Sequence, residues 1–462
     1  MAIWRPFSGL ACVAALVVGS SLAAPPAAHA ITPPVVDPGP PPTGPVAPLD
    51  PTELKAICGI PTGVLPATDF RKQTSADAML DYRAAWQFST GAGQKVAVID
   101  TGVNRHPRLR ALEAGGDYVS NTDGLQDCDA HGTLVAGIIA AAPSPDDSFA
   151  GVAPDATILS IRQNSGAFGI QGSGGSSKDD PNATSTGYGN TQTLALAITR
   201  AVDLGATVIN MSEVACAPVS AGLDDAAVGR AVRYAFERNV VVVAAAGNFN
   251  TQSMCNTQNV MTDPNQPLSK GWDTVGTIAS PAWFEDYVLT VGAVTMSSAP
   301  AEFSLHGPWV ALAGPGERIT SLDPNGPGLI NAQIGQQGLA PLNGTSFAAP
   351  FVAGVVALIR SRFPELTAGQ VMDLIKRTAR TPGEGPNPAT GYGVVDPIAA
   401  LTYQLTPTKT GPGQDAGTPI SGPPQPDPGN VRARMIVLCA TALSVALMAA
   451  AAALAAVRRR RH

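Results

Sequence analysis

The sequence predicts an α/β fold: a doubly wound, mostly parallel sheet with helices on both faces, plus one C-terminal transmembrane helix. Short apolar runs alternate with longer amphipathic segments across the middle of the chain. The apolar runs lack polar alternation, which is typical of parallel strands that are covered on both faces. A long uncharged stretch precedes the C-terminal arginines, and its length suits a membrane-crossing helix.

The central region contains six candidate strands and five candidate helices. The predicted strands are Lys95–Asp100, Ile158–Gln163, Val208–Ser212, Val240–Ala246, Val288–Val294 and Trp309–Ala313. The predicted helices are His131–Ala141, Thr191–Leu204, Ala226–Arg238, Ser346–Arg362 and Ala368–Arg380. Functional groups of such folds gather beyond the carboxyl ends of the strands, so a site is expected at that edge of the sheet.

The N-terminus has the pattern of a secretory signal peptide, residues 1–30. Arg5 is followed by an apolar run and then by Ala28-His29-Ala30, a small-x-small triplet typical of a cleavage site. An uncleaved anchor is the alternative interpretation. The pattern predicts an exported protein.

Residues 435–457 are the predicted transmembrane helix, without a charge or a proline. The basic tail 458–462 is denser in arginine than the residues before the helix, so it should stay in the cytoplasm. This predicts a single-pass protein of the cell membrane whose folded domain lies on the periplasmic side. A buried core helix is the alternative for this alanine-rich run.

Proline-rich stretches frame the domain that we predict for residues 54–403. They are the N-terminal extension 31–53 and the linker 404–434, and most of each stretch is expected to be extended linker without a core. Residues 164–190, rich in Gly, Ser and Asn, are predicted to be a mobile insertion. This insertion either controls access to the site or is a plain solvent loop.

Composition excludes some classes of function. The net charge is −6 with scattered Lys and Arg, so nucleic-acid binding has no support. No His/Cys cluster suggests zinc, and we predict no metal and no cofactor, although calcium stays undecided.

Two of the six cysteines lie in the predicted signal and span, and four remain in the exported part, which suggests two disulfides with three pairings open. These four are Cys58, Cys128, Cys216 and Cys255.

Four residues at the ends of predicted elements carry the functional prediction. Asp100 ends a strand, His131 and Ser346 each open an apolar helix, and Asn248 follows a strand. Each alone is a common structural residue, such as a helix cap or a turn residue. A helix N-terminus also lowers the proton affinity of a histidine, which would suit a general base.

Together the four residues supply a complete set of parts for nucleophilic catalysis. A serine hydroxyl needs a base, the base needs a carboxylate to fix its tautomer, and the developing oxyanion needs an amide donor. The set therefore favours a serine peptidase.

The motifs resemble those of subtilases, peptidase family S8, over nearly all of residues 90–400. The similar segments are VAVIDTGV, HGTLVAGIIA, VINMSE, AAAGN and NGTSFAAPFVAGVVALI. The order Asp, His, Ser is also that of subtilisin. The resemblance implies a subtilisin-like fold and a serine endopeptidase in which Asp100 orients His131, His131 is the base, Ser346 is the nucleophile and Asn248 stabilises the oxyanion. It assigns Asp-Thr-Gly to this triad rather than to an aspartic protease.

The whole architecture looks like a mycosin, a subtilase of mycobacterial type VII secretion systems. The signal peptide, the ITPP start, the proline-rich extension, DCDAHGT, FSLHGPW and the C-terminal span carry this likeness. It implies protein or peptide substrates, a place in the secretion membrane complex and a stabilising role there. The alternative is a mainly structural subunit whose catalysis is secondary.

The chain departs from the general subtilase pattern at the expected substrate cleft. Many members have Ser-Leu-Gly where this chain has Ser212-Glu213-Val214, and we expect these residues and Gly247 to bind substrate. Glu213 would favour a basic or polar substrate residue, or would point to solvent.

The mycosin resemblance implies the pairs Cys58–Cys128 and Cys216–Cys255. The short extension predicts no separate folded inhibitory propeptide.

Overall fold

The computed structural model describes residues 31–173, 180–251, 253–263, 265–335, 338–403 and 431–459. The predicted signal peptide 1–30 and most of the predicted linker 404–434 lie outside the described residues. The chain divides into two units, Met1–Leu405 and Thr406–His462. The first contains the predicted domain.

Strands and helices alternate along the first unit much as the sequence predicts. The strands are β1 Thr52–Leu54, β2 Thr62–Gly63, β3 Lys95–Asp100, β4 Leu112–Asp117, β5 Thr157–Arg162, β6 Phe168–Ile170, β7 Val208–Met211, β8 Ala215–Pro218, β9 Val241–Ala245, β10 Thr277–Ser280, β11 Val288–Val294, β12 Val310–Pro315, β13 Ser321–Leu322, β14 Leu329–Ile330, β15 Ala332–Gly335 and β16 Gly338–Pro341. The helices are α1 Ser75–Leu80, α2 Tyr82–Ala85, α3 His131–Ala140, α4 Thr191–Asp203, α5 Ala226–Glu237, α6 Thr345–Arg362, α7 Ala368–Arg377 and α8 Pro397–Thr402. A 3₁₀ helix spans Leu268–Thr274.

A seven-stranded sheet forms the centre, in the order β12-β11-β9-β7-β3-β5-β4. Every neighbouring pair is parallel. All six predicted strands lie in it, so the predicted α/β class is confirmed. The seventh, β4, was not predicted because its sequence LEAGGD contains two glycines and two acidic residues, which do not read as a buried strand.

Alternation along the strands explains why helices cover both faces. In β3, Val96 and Val98 pack into the apolar cluster that contains α3 and α6. Ala97 and Ile99 point the other way, into the cluster with α4 and α5. Successive strand side chains face opposite sides, so an all-apolar strand needs a cover on each. Helix α6 is buried on nearly every side and lies at the centre of its layer.

The topology brings the predicted site residues to one edge. Strands β5 and β4 lie on one side of β3, and β7, β9, β11 and β12 lie on the other. The topological switch point of the sheet is therefore between β3 and β7. Asp100 ends β3, Ser212 and Glu213 follow β7, and Asn248 follows β9. Crevices at such a switch point are where open parallel sheets place ligands.

The proline-rich extension is not the free linker that its composition predicts. Arg233 on α5 donates hydrogen bonds to the carbonyl oxygens of Asp37 and Gly39. The backbone amide of Leu49 donates to the hydroxyl of Tyr188 at 2.8 Å. Prolines prevent the segment from forming its own core but leave its carbonyls free to accept hydrogen bonds. Composition alone therefore misjudged a segment that binds the surface of its own domain.

The predicted mobile insertion 164–190 is also held in place over its described parts. Its strand β6 pairs antiparallel with β1 of the extension. Ser165 and Tyr188 exchange backbone hydrogen bonds across the base of the insertion. The stretch 174–179 lies outside the described residues. Long-range pairing thus supplies contacts that the Gly/Ser composition does not indicate, and the mobility of the insertion stays a prediction.

Two disulfides join the predicted pairs. Cys58 bonds to Cys128 across 70 residues, and Cys216 bonds to Cys255 across 39. Cys58 lies just after the extension, and the first bond fixes this N-terminal part of the domain beside the start of α3. The second links β8 to the loop that follows β9.

In the second unit, a helix α9 covers Val431–Arg459 and includes the predicted span 435–457. Among the residues that the structure describes, no helix is long and apolar enough to cross a membrane. A helix is thus found where the sequence predicts one, and its membrane-spanning role stays a prediction.

Candidate active site

Asp100 and His131 meet at the carboxyl edge of the sheet. His131 is the first residue of α3 and Asp100 the last of β3. The ring nitrogen Nδ1 of His131 lies 2.8 Å from Oδ1 of Asp100. Asp100 is fully buried and the His131 side chain is 20% exposed. A buried carboxylate at this distance fixes the tautomer and orientation of the imidazole.

A second carboxylate lies behind this pair. Asp127 accepts hydrogen bonds from the hydroxyls of Thr101 (2.8 Å) and Thr133 (2.6 Å). The same Thr101 hydroxyl accepts from the backbone amide of Gly132 and lies 3.3 Å from Asp100 Oδ1. Burial raises the pKa of Asp127 to about 6, against the hydrogen bonds from Thr133 and Thr101. This network holds the two chain segments that carry Asp100 and His131.

Sequence reasoning missed Asp127, Thr101 and Thr133. The available signal was weak: Asp127 stands four residues before His131, and Thr133 two residues after it. Neither spacing by itself indicates contact, because the contact depends on the loop that brings Asp127 back under α3.

A third carboxylate, Glu213, approaches His131 directly. Its Oε1 lies 3.4 Å from His131 Nδ1, the nitrogen that Asp100 already contacts. The Glu213 side chain is 28% exposed. Glu213 is therefore partly exposed to solvent but directs its carboxylate toward His131, the predicted general base.

These charges reverse one expectation about His131. Burial disfavours the charged imidazolium, but Asp100 and Glu213 together outweigh it and raise the pKa of His131 to about 10. A helix N-terminus carries only a partial positive charge, so the carboxylates of Asp100 and Glu213, both within 3.4 Å, outweigh its lowering effect on the proton affinity. Burial also raises the pKa of Glu213, to about 7, against the attraction of His131.

Ser346 lies in the first turn of α6, and its neighbour ties it to His131. The ring of Phe347 lies 5.4 Å from the imidazole, centroid to centroid. The carbonyl of Ser346 accepts a hydrogen bond from Ser212 Oγ at 2.8 Å. Ser346 is buried but not fully so, at 7% exposure. The predicted nucleophile, base and carboxylate thus share one small region.

Asn248 is anchored by its oxygen and keeps its amide nitrogen toward Ser346. Its Oδ1 accepts hydrogen bonds from the Thr345 amide (2.9 Å) and hydroxyl (3.1 Å). A methyl group added at Gly344 would meet Ser346 Oγ at 2.9 Å and Asn248 Nδ2 at 3.5 Å. Both atoms therefore border the same small space, which a side chain at Gly344 would fill. An amide donor beside a hydroxyl is the arrangement that stabilises an oxyanion.

A cleft of about 520 Å³ opens beside His131 and Asn248, and Ser346 and Asp100 are not among the residues that line it. Of the predicted substrate residues, Glu213 and Val214 line it, together with His131 and Asn248. Ser212 does not line it in the described structure, and its hydroxyl donates to the Ser346 carbonyl. Gly247 lies close behind, where an added methyl would meet Val214 at 3.3 Å.

The sequence did not predict three further contributors to this cleft. Ile60, seven residues after the end of the extension, forms part of the wall, and the disulfide cysteines Cys216 and Cys255 form another part. Asp129, two residues before His131, adds a further carboxylate. The extension and both disulfide-linked segments thus shape the cleft directly or lie beside it.

Asp100, His131 and Glu213 each place one ligand atom within 4.8 Å of the others, close enough for one metal ion. Nδ1 of His131 is already engaged with Asp100, so a metal there would displace the interaction that orients the ring. The arrangement fits an acid–base site better than a metal site, and we assign it no metal.

Known proteins share this sequence and fold. The subtilase family model, Peptidase_S8, matches residues 91–393. Mycosin-4 of Mycobacterium tuberculosis is 45% identical over 457 residues, 98% of this chain and 96% of the relative. The crystal structure of MycP1 from Mycobacterium smegmatis has a TM-score of 0.75 at 45% identity and covers 81% of this chain and 96% of its own. A chain in the structure of an intact ESX-5 inner membrane complex has a TM-score of 0.74 and is 42% identical. The match covers 92% of this chain and 99% of that one.

The structure has a parallel α/β fold with an Asp–His pair and a serine at a helix start, and the family model matches most of the chain. The chain therefore belongs to the subtilase family and is a serine endopeptidase. Within that family it belongs to the mycosins, the relatives that match it over nearly its full length.

Proposed function

We propose that Ser346, His131, Asp100 and Asn248 carry out peptide-bond hydrolysis through an acyl-enzyme. Ser346 Oγ attacks the substrate carbonyl while His131 takes its proton, and Asn248 Nδ2 donates to the oxyanion. His131 then gives the proton to the leaving amine, and water releases the acyl group by the same steps. The observation that carries this proposal is the 2.8 Å Asp100–His131 contact beside the Ser346 helix.

We further propose that the chain works outside the cytoplasm, as part of a type VII secretion membrane complex. Likeness to a chain of the ESX-5 inner membrane complex and to one of its periplasmic assembly supports this placement. Two disulfides agree with an oxidising compartment. In this account the protein processes secretion substrates and also stabilises the complex.

A mainly structural subunit is the second candidate. Its support is the extended strap that the N-terminal extension forms along the domain, because such a surface can be scaffold as well as enzyme. One cellular experiment separates the two roles. In a host that lacks its own copy, the Ser346→Ala chain is expected to restore the assembled complex on a native gel but not the cleavage of secreted proteins.

The control in that experiment is the unaltered chain, which should restore both properties. If Ser346→Ala leaves substrate cleavage intact, the catalytic assignment is wrong. If neither chain changes the amount of complex, the stabilising role is wrong. The unaltered chain and the Ser346→Ala chain must be present in equal amounts, measured by immunoblot.

A further inference from the structure

We propose that Glu213 determines the specificity of this site by selecting peptides with a lysine or arginine side chain close to the scissile bond. The inference rests on the proposed function, because it assigns a substrate class to the same cleft. It concerns a residue at which the chain departs from the common subtilase pattern.

Among the described residues that line the cleft, Glu213 is the carboxylate that lies against the proposed general base. Asp129 also lines the cleft, but it already accepts hydrogen bonds from the Ser165 hydroxyl and the Gly166 amide. Asp180 accepts one from the Asn182 amide at 2.9 Å. Within the described residues, Glu213 has a polar contact only with His131 Nδ1, at 3.4 Å. That nitrogen is held more closely by Asp100, at 2.8 Å.

The charges around His131 do not balance. Asp100 and Glu213 both contact a single imidazole, and the buried Asp127 lies behind Asp100, joined to it through the Thr101 hydroxyl. The described residues that line the cleft include no lysine and no arginine. A peptide that covers the cleft removes water from Glu213, and a carboxylate buried without a cation is strongly disfavoured. A basic side chain of the peptide would supply the missing positive charge.

The position of Glu213 restricts where that side chain can lie. Its carboxylate is 3.4 Å from the ring that must accept the Ser346 proton. A cation bound there must therefore come from a residue within about two positions of the scissile bond, since an extended chain advances only ~3.3 Å per residue. Pairing with the peptide also draws negative charge away from His131, which leaves Asp100 to orient a neutral imidazole.

Binding to an inactive enzyme tests the inference without requiring catalysis. We would titrate full-length Ser346→Ala protein calorimetrically with alanine-rich octapeptides that carry one lysine at successive positions, and with matched peptides that carry glutamine. At one position or two adjacent positions, lysine should bind at least about tenfold more tightly than glutamine. Adding Glu213→Gln should reduce that preference to about twofold or less.

Asp180→Asn in the same background is the matched control, because Asp180 lines the cleft without contacting His131. It should keep most of the lysine preference. The inference is overturned if Ser346→Ala shows no lysine preference, if Glu213→Gln keeps it, or if Asp180→Asn removes it equally. Cleavage of the same peptides by unaltered enzyme tests the proposed function separately: lysine preference without cleavage would reject catalysis and retain the Glu213 site.

Discussion

At the scale of single residues, two carboxylates compete for one nitrogen of His131. Asp100 is fully buried and close, whereas Glu213 is half-buried and reaches the ring from the cleft. Both stabilise the imidazolium, and a protonated imidazole cannot accept the serine proton. Both raise the pKa of His131 above its usual value, so Glu213 adds to the fraction of the proposed general base that is protonated before substrate binds.

Glu213→Gln is expected to make the enzyme more active toward uncharged peptides at pH 7. The pKa of His131 is raised to about 10, so activity that needs the neutral ring should increase as pH rises toward that value. Removing one carboxylate lowers the pKa of His131 and moves this rising limb to lower pH. At pH values well below the pKa, a tenfold fall in the proton affinity of the ring gives about tenfold more neutral base.

The measurement is the pH profile of kcat/KM with an uncharged peptide, which reports the free enzyme. Asp180→Asn serves as the control and should leave the limb in place. If the rising part of the pH profile stays at the same pH in Glu213→Gln, or moves to higher pH, the assigned role of this carboxylate is contradicted.

Sequence and structure agree on the residues whose position depends on a strand or helix end. Asp100, His131, Ser346 and Asn248 each stand at such an end, and the parallel sheet places those ends together. The structure adds two contacts that no local pattern encodes. Asp127 stands only four residues before His131, but its contact with Thr133 depends on the fold of the short loop between them. Glu213 reaches His131 from the distant segment after β7, and the sequence predicted neither contact.

At the scale of elements, the Cys58–Cys128 disulfide connects the extension to the segment that carries His131. Cys128 stands three residues before His131, and Ile60, two residues after Cys58, lines the cleft. The bond thus ties one wall of the cleft to the segment that leads into α3. The second disulfide, Cys216–Cys255, also lines the cleft, as do Val214 and Asn248.

Cys58→Ser/Cys128→Ser should lower the free energy of unfolding by about 4 kcal/mol, the loop-entropy expectation for a crosslink that closes 70 residues. Urea unfolding of the full-length chain measures this loss. Cys216→Ser/Cys255→Ser opens a 39-residue loop and provides the comparison. An unchanged unfolding midpoint for the first variant would show that the extension is held by its other contacts alone.

Secondary structure within the sheet was predictable because its strands are short, apolar throughout and separated by amphipathic helices. β4 was missed because its glycines and acidic residues resemble a loop. It becomes a strand by pairing with β5 at the edge of the sheet. Tertiary pairing at that edge overrides its weak local preference.

At the scale of the whole molecule, the N-terminal extension runs across several parts of the peptidase unit. It contacts α5 through Arg233 and pairs β1 with β6, and the segment that follows it places β2 against β15. A proline-rich composition shows that a segment has no core of its own, but not that another surface will bind it. This is why the extension was predicted as a linker and is found as a strap.

The central claim is that Ser346 is a nucleophile activated by His131 and Asp100. Full-length protein treated with a fluorophosphonate probe tests it most directly, since an activated serine displaces fluoride and bonds to phosphorus. We expect labelling of the unaltered chain, none of Ser346→Ala, and strongly slowed labelling of His131→Ala. Equal labelling of the unaltered and Ser346→Ala chains, or none of either while both are folded, would contradict the account.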